Sequence, residues 1–417
     1  MSEVRLADAF SNLLESDPRI RLLAYDGSVA GRADAPVVLD VRSERAIRYI
    51  ATAPSDLGLA RAFVTGELEV FGDLHAGLTA LVSHRVSAGM ARGAVDVLRT
   101  LGLGALRRPQ VPAEEAVAPW RRGVRHSKKR DAYAIAHHYD VSNRFYELIL
   151  GPSMTYTCAV YGDPTASLEE AQFAKYDLVA GKLALEPGMR LLDVGCGWGG
   201  MVIHAAERYG VHALGVTLSQ RQADWAQETI AARGLADLAE VRFMDYRDVS
   251  QGEFDAVSAI GLSEHVGARN LPGYIEDLHG KLRSGGRLLN HSITRANGSA
   301  KARANGFIDR YVFPDGELES PGTIVTAIED HGFEVRHLEN LREHYSMTLR
   351  DWGANLDANW DAAVAEVGER RARVWRLYMA ASRVGFDTNR IQLHQVLAVK
   401  PHSNGQSNMP LRPTWSC

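Results

Sequence analysis

Leu191-Leu192-Asp193-Val194-Gly195-Cys196-Gly197-Trp198-Gly199-Gly200 decides the reading of this chain. Apolar residues run straight into a glycine cluster, and an amphipathic stretch from Met201 to Tyr209 follows. That order predicts strand, tight turn, helix. Gly195 and Gly197 let the backbone turn sharply and let a ligand lie against bare peptide. The helix start adds unpaired N–H groups. A G-x-G turn alone is a weak signal, because it also opens dinucleotide sites. A dinucleotide site wants an acidic residue at the end of the next strand, about 20 residues on. Here the next strand, His212 to Val216, ends in Thr217-Leu218-Ser219-Gln220. No carboxylate stands there, so a nicotinamide cofactor loses its ribose clamp.

The chain has 417 residues, enough for two or three domains and a large core. With 46% hydrophobic and 24% charged residues it has the balance of an ordinary globular protein. A net charge of −4 gives no global bias toward nucleic acid. Cys158, Cys196 and Cys417 are too far apart for a disulfide framework or a zinc knuckle, and no metal site is expected. The start, Met-Ser-Glu-Val, lacks the basic and apolar regions of a signal peptide. No apolar run approaches the roughly 20 residues that span a bilayer. A cytoplasmic location is the expectation, and a lipid substrate would require the protein to visit the membrane surface.

Three regions follow from the pattern. Residues 1–105 read as a small α+β unit for docking or lipid binding. Val37–Val41 is its strand candidate, and Gly58–Glu67 and Leu74–Leu103 are its helical stretches. Residues 106–131 read as a basic linker. Pro112 and Pro119 break helix. Trp120, Arg121, Arg122, Arg125, His126, Lys128, Lys129 and Arg130 follow. The run is either a solvated linker or a contact with anionic lipid headgroups, worth about 1 kcal/mol per basic residue near such a surface. A nucleic-acid patch lacks any accompanying fold signal. Residues 132–417 alternate strand with helix, which predicts an α/β fold with a mostly parallel, doubly wound sheet. Strands are expected at Leu191–Val194, Ala213–Val216, Glu240–Met244, Ala256–Ile260 and Arg287–Ser292, with closing strands at Val335–Asn340 and Ile391–Val399. Helices are expected at Gln220–Arg233, Leu271–Leu282 and Pro321–His331.

The form D-x-G-C-G-x-G resembles the S-adenosylmethionine turn of Rossmann-like class I methyltransferases. Further segments resemble one family. They are His138-Tyr139-Asp140-Val141-Ser142-Asn143, Met154-Thr155-Tyr156-Thr157-Cys158-Ala159, Asp245-Tyr246-Arg247-Asp248, Glu264-His265-Val266-Gly267, Asn290-His291-Ser292-Ile293, Tyr311-Val312-Phe313-Pro314-Asp315-Gly316, and His344-Tyr345 with Thr348, Leu349 and Trp352. In this order the set resembles the cyclopropane-fatty-acyl-phospholipid synthases and the mycolic-acid cyclopropane synthases, over about residues 135–400. The N-terminal unit fits the longer, phospholipid-acting members. Leu23–Ser28, Asn389–Gln395, Pro410–Trp415 and Leu262-Ser263 resemble the methyltransferases of tuberculostearic acid formation.

The resemblance implies methylation of the cis double bond of an oleoyl chain in phospholipid. A hydride shift would move the chain carbocation to the methyl-bearing carbon, and loss of a methyl proton to bound bicarbonate would then give a 10-methylene branch. A separate reductase would then make the methyl-branched chain. The alternative product is a cyclopropane from the same intermediate. Alternatives of another class are a small-molecule methyltransferase and a non-catalytic lipid-binding protein. By motif match the bicarbonate holders are Cys158, Glu264, His291, Ile293 and Tyr345, with Cys158 and Ile293 acting through backbone groups. Tyr156, Tyr311, Phe313, Tyr345 and Trp352 are candidates to face the cation. Gly195, Gly197, Thr217 and Gln222 would hold the cofactor, Asp245 and Tyr246 would flank its adenine, and Tyr139 would close over the sulfonium. Asp193 reads as a brace for the loop. The family also implies a homodimer peripherally associated with the inner face of the membrane, with no nucleic-acid partner.

Overall fold

The structure, a computed structural model, describes residues 5–8, 17–53, 56–83, 107–115, 141–296, 306–313 and 316–415. The chain divides into two compact units, and the division is not linear. One unit takes Met1–Ala118 together with Asn305–Pro314 and Trp360–Val384. The other takes Pro119–Ala304, Asp315–Asn359 and Gly385–Cys417. The sequence boundaries at 105 and 132 assign residues 305–314 and 360–384 to the catalytic stretch. Their grouping with the N-terminal residues rests on contacts that no linear pattern carries.

In the first unit the described strands are β1 (Ile20–Ala24), β2 (Val29–Ala30), β3 (Val37–Val41) and β4 (Leu68–Phe71), in the order β2-β1-β3-β4. β3 lies where the sequence predicts it. Its Val37, Leu39 and Val41 are buried while Val38 and Asp40 are not, the two-residue alternation of a half-covered sheet. Helix α1 (Glu44–Thr52) starts at Ser43, whose hydroxyl accepts from the Arg45 N–H. Helices α2 (Asp56–Val64) and α3 (Leu74–Ser83) follow. The expected extension of α3 to Leu103 lies outside the described residues. Within this unit the buried Glu115 carboxylate pairs with both Arg61 (2.8 Å) and Arg310 (2.6 Å).

The second unit is built on α4 (Asn143–Leu150), α5 (Leu168–Leu183), β5 (Arg190–Val194), α6 (Gly200–Tyr209), β6 (His212–Thr217), α7 (Gln220–Ala232), β7 (Ala239–Phe243), β8 (Phe254–Ile260), α8 (Ser263–Val266), α9 (Leu271–Lys281) and β9 (Leu282–Arg295). It is completed by α10 (Pro321–Asp330), β10 (Glu334–Asn340), α11 (Arg342–Ala358) and β11 (Ile391–Val399). Its seven described strands run β10-β11-β9-β8-β5-β6-β7. β5 to β9 are parallel, and β11 and β10 close one edge antiparallel. Every predicted strand and helix of this region is present within a few residues.

β5 sits in the middle. Leu191, Leu192, Asp193 and Val194 are all buried, as a parallel strand covered on both faces requires. Leu191 packs with Val179 of α5, Val202 of α6 and Ala226 of α7 on one face. Leu192 and Val194 pack with Ile275 of α9 and Ile324 of α10 on the other. From β5 the chain steps out to β6 and β7, then returns to β8 on the opposite side. The strand order reverses at the carboxyl end of β5, where open α/β sheets place their ligand crevice.

Candidate active site

The glycine turn stands at that crevice. Gly195, Gly197 and Gly199 have φ of +74°, +56° and +77°, the left-handed region that glycine enters at no steric cost. The N–H groups of Gly195 and Cys196 donate to Val216 O at 2.9 and 3.0 Å, lashing the turn to β6. A Cβ at Gly195 would stand 3.2 Å from the Leu262 side chain, whereas at Gly197 it would meet open space. That space is a cavity lined by Gly195, Gly197, Val216, Thr217, Leu218, Gln222, Met244, Tyr246, Arg247, Gly261, Leu262, His265, Val266 and Asn270.

Five of the residues expected to hold a cofactor therefore share one wall: Gly195, Gly197, Thr217, Gln222 and Tyr246. Thr217 Oγ1 donates to Gln222 Oε1 at 2.7 Å, which fixes both side chains after β6. Asp245, expected beside an adenine, already has a partner in the chain. Arg247, two residues on, donates to its carboxylate at 2.8 and 2.6 Å, and the backbone of Arg247 donates at 3.0 Å. The local ion pair has captured the acid, and Arg247 itself lines the cavity. Sequence reasoning also passed over Leu218, Met244, His265 and Asn270. Tyr139 lies outside the described residues. Bare glycine peptide, apolar Leu218, Met244 and Leu262, the Tyr246 ring and the polar ends of Thr217 and Gln222 fit an adenosyl group, which has an apolar ring and hydroxyls to match.

After Leu262 the chain enters α8. Glu264 is in the first turn of α8 and buried. One oxygen, Oε1, accepts the Ile293 N–H at 2.7 Å. The other, Oε2, is buried with no hydrogen-bond partner. Burial raises its pKa to about 7, more than the Ile293 bond lowers it. His291 lies on β9, 1% exposed. Its Nδ1 is 3.1 Å from Gln395 Nε2, and its Nε2 is buried with no partner. Burial, with the positive charges of Lys175 and Lys182, holds its pKa well below the usual histidine value. The ring is therefore neutral.

Cys158 is fully buried, and burial pushes its thiol far above the usual range. It stays protonated, and its Sγ–H donates to Ala159 O at 3.1 Å. Short contacts link this segment to the rest. A Cβ at Gly261, next to β8, would lie 3.6 Å from Thr157. The Gly261 N–H donates to His291 O at 2.8 Å. Ala159 N–H donates to Thr348 Oγ1 at 3.0 Å, and Tyr161 N–H to His344 Nδ1 at 3.0 Å, which seats α11. Leu341 N–H donates to Leu393 O at 2.8 Å, and Leu393 faces Ile293 across β11 and β9. These bonds join the segments that carry Cys158, His291, Ile293 and Tyr345, and Glu264 is joined to them through the Ile293 N–H.

Aromatic rings pave the same region. Trp198, Tyr146, Tyr156, Trp352, Tyr345 and Phe386 follow one another with centroids 4.6, 5.9, 5.2, 6.1 and 4.6 Å apart. The row starts in the glycine turn, passes Tyr345 and ends at Phe386. Tyr156, Tyr345 and Trp352 are among the rings expected to face a cation. Tyr311 and Phe313 belong instead to the first unit, where they pack on Phe307 and Tyr378.

Two lysines had no place in the sequence reading. Lys175 and Lys182 are seven apart on α5, hence on one face, and both are buried. Lys175 Nζ donates to Thr157 Oγ1 at 3.0 Å and lies 3.6 Å from the centre of the Tyr176 ring. Burial lowers its pKa to about 7 against the pull of Asp193 and Cys158. Asp193, two residues before Gly195, accepts from Ser258 Oγ at 2.6 Å across β5 and β8. Among the described residues, no helix is long and apolar enough to cross a membrane.

This fold, with a ligand crevice at the glycine turn, defines a class I S-adenosylmethionine-dependent methyltransferase. Residues 126–396 match the family model of mycolic acid cyclopropane synthetase, and the chain belongs to that cyclopropane synthase family. A probable fatty acid methyltransferase of Mycobacterium tuberculosis is 55% identical over 95% of this chain and 94% of its own. The cyclopropane-fatty-acyl-phospholipid synthase of Escherichia coli K12 is 36% identical over 67% of this chain and 71% of its own. A crystal structure of the cyclopropane synthase MmaA2 from Mycobacterium tuberculosis superposes with a TM-score of 0.62 at 31% identity, over 64% of this chain and 98% of that one. S-Adenosylmethionine is the cofactor of this enzyme class, and fatty acyl chains are what the family modifies.

Proposed function

We propose that the protein methylates the cis double bond of an oleoyl chain in a phospholipid and releases a 10-methylene-branched chain. When bound, S-adenosylmethionine supplies an electrophilic methyl group and bicarbonate supplies a proton acceptor. An isolated alkene is a weak nucleophile, so the residues must mainly align it and exclude water; alignment is worth up to roughly 10 kcal/mol of barrier. Gly195, Gly197, Thr217, Gln222 and Tyr246 hold the cofactor. The row of rings from Tyr146 to Tyr345 receives the acyl chain and turns π faces toward the positive charge that methylation leaves on it. Rings stabilise a cation without attacking it.

The observation that carries this reading is two buried atoms without a hydrogen-bond partner, Glu264 Oε2 and His291 Nε2, on residues linked by Ile293, which donates to Glu264 and lies two residues from His291 on β9. Buried polar groups are almost always satisfied, so two bare ones together suit a small polar ligand. A hydrogen carbonate ion fits the pair, with Cys158, Ile293 and Tyr345 completing its surround. Because Ile293 N–H already serves Glu264, its part is to aim that carboxylate. The phospholipid substrate has support in the name of the Escherichia coli relative. It accords with a protein that works peripherally at the inner membrane face, guided by the basic residues of 106–131, as a homodimer and ahead of a separate reductase.

The test uses S-adenosylmethionine with a labelled methyl group and vesicles of dioleoyl phosphatidylglycerol. Label in the extracted lipid is expected, with mass spectrometry of the reduced fatty acids giving a methyl branch. A ring resistant to mild reduction would assign the cyclopropane product. No label in lipid would contradict the reading.

A further inference from the structure

Behind His291 lies a row of side chains that the reaction does not touch. Glu339 on β10, Gln395 on β11 and His291 on β9 are direct cross-strand partners, Glu339 opposite Gln395 and Gln395 opposite His291. Lys182 reaches this rung from α5. Its ammonium pairs with Glu339 and donates to Gln395 Oε1 at 2.6 Å. Gln395 Nε2 is 3.1 Å from His291 Nδ1. Lys182 and Gln395 are 0% exposed.

The two ends of an amide look alike, so its orientation must come from its partners. Lys182, paired with a carboxylate, has donors and no acceptor. Gln395 therefore presents its oxygen to Lys182 and its NH2 to His291. Nδ1 of His291 must accept. A neutral imidazole that accepts at Nδ1 carries its proton on Nε2. The opposite tautomer would set N–H against N–H in a buried site. The charged groups facing the ring are Lys175 and Lys182, both of which disfavour the imidazolium form.

We propose that Lys182 and Gln395 are positioning residues that fix His291 as the Nε2–H tautomer, so that its free edge is a donor, on the strand whose Ile293 N–H holds Glu264. Together with Glu264 Oε2, the acceptor of the proposed site, that edge suits a ligand with both a donor and an acceptor, such as a hydrogen carbonate ion with its O–H and O−. That last step rests on the proposed function; the tautomer does not.

The experiment is long-range 1H–15N correlation spectroscopy on the full chain labelled with [15N]histidine, with His291 assigned by its loss in His291→Asn. The wild-type ring is expected in the Nε2–H form. In Gln395→Glu a carboxylate takes the place of the amide, keeps the partnership with Lys182 and accepts from Nδ1, so the ring is expected to switch to Nδ1–H. Lys182→Met frees the amide to turn, and a mixture of forms is expected. Turnover in Gln395→Glu should fall about tenfold or more with the cofactor KM unchanged, as for the loss of an orienting partner. A wild-type ring protonated on Nδ1 would overturn the proposal, and so would normal turnover in a variant whose ring has switched. Wild-type turnover indifferent to bicarbonate would instead overturn the anion reading and leave the ring assignment standing.

Discussion

Two carboxylates whose pKa burial raises, one on the strand that leads into the glycine turn and one on α8, show what separates a brace from a site. Asp193 on β5 accepts the Ser258 hydroxyl from β8, and burial raises its pKa to about 6. Glu264, just after β8, is raised to about 7 by the same cause. Asp193 is the more deeply buried residue, but their chemistry and the direction of their pKa shifts match. Their satisfaction does not: Asp193 ties two strands together below the turn, while Glu264 has an oxygen facing nothing. An unsatisfied buried polar atom is worth keeping only where something else completes it.

That contrast breaks most readily at Glu264. Glu264→Gln should bind cofactor as the wild type does, by calorimetry, and lose at least about a hundredfold in turnover. Near-normal turnover would make Glu264 a second brace. The next effect is on stability. A carboxyl with a raised native pKa holds a proton that the unfolded chain has already lost, so the native state weakens as pH rises from the ordinary glutamate range to about 7. The penalty is full above that point. In bicarbonate-free buffer, Glu264→Gln should therefore exceed the wild type by up to about 3 kcal/mol above pH 7, and by little below pH 4.5. Thermal unfolding across the range checks this, and Asp193 cancels because both proteins carry it.

Ser258→Ala sharpens the other side. It leaves a buried carboxylate oxygen without its donor and should cost about 2 kcal/mol in denaturant unfolding, with turnover preserved. The smallest effect is expected at Gly197→Ala. The new methyl points into the cavity, so the cofactor Kd should rise about tenfold, or about 1.4 kcal/mol.

The sequence made the brace and the turn legible because they are local. Leu191 to Gly200 contains its own strand, turn and helix start. The set Cys158, Glu264, His291, Ile293 and Tyr345 was proposed through motif resemblance alone, since only His291 and Ile293 share an element, β9. Asp245 shows what a motif leaves out: Arg247, two residues on, pairs with its carboxylate. Lys182 and Gln395 were hidden for another reason. Their meaning depends on strand register between β9, β11 and β10, which no single stretch encodes. A signal did exist for the lysines, because Leu168, Ala171, Lys175, Leu178 and Lys182 make one buried stripe on α5. Cations on the apolar face of a helix call for buried partners. The grouping of residues 360–384 with the N-terminal unit left no local trace.

The central claim is that Glu264 and His291 hold an inorganic anion for removal of the acyl-chain proton. The most direct measurement is turnover on oleoyl phospholipid vesicles in carbonate-depleted buffer, followed by titration with bicarbonate. The account predicts near-zero rates on depletion and saturable recovery in the wild type, with no recovery in Glu264→Gln. A wild-type rate that is the same with and without bicarbonate would contradict it.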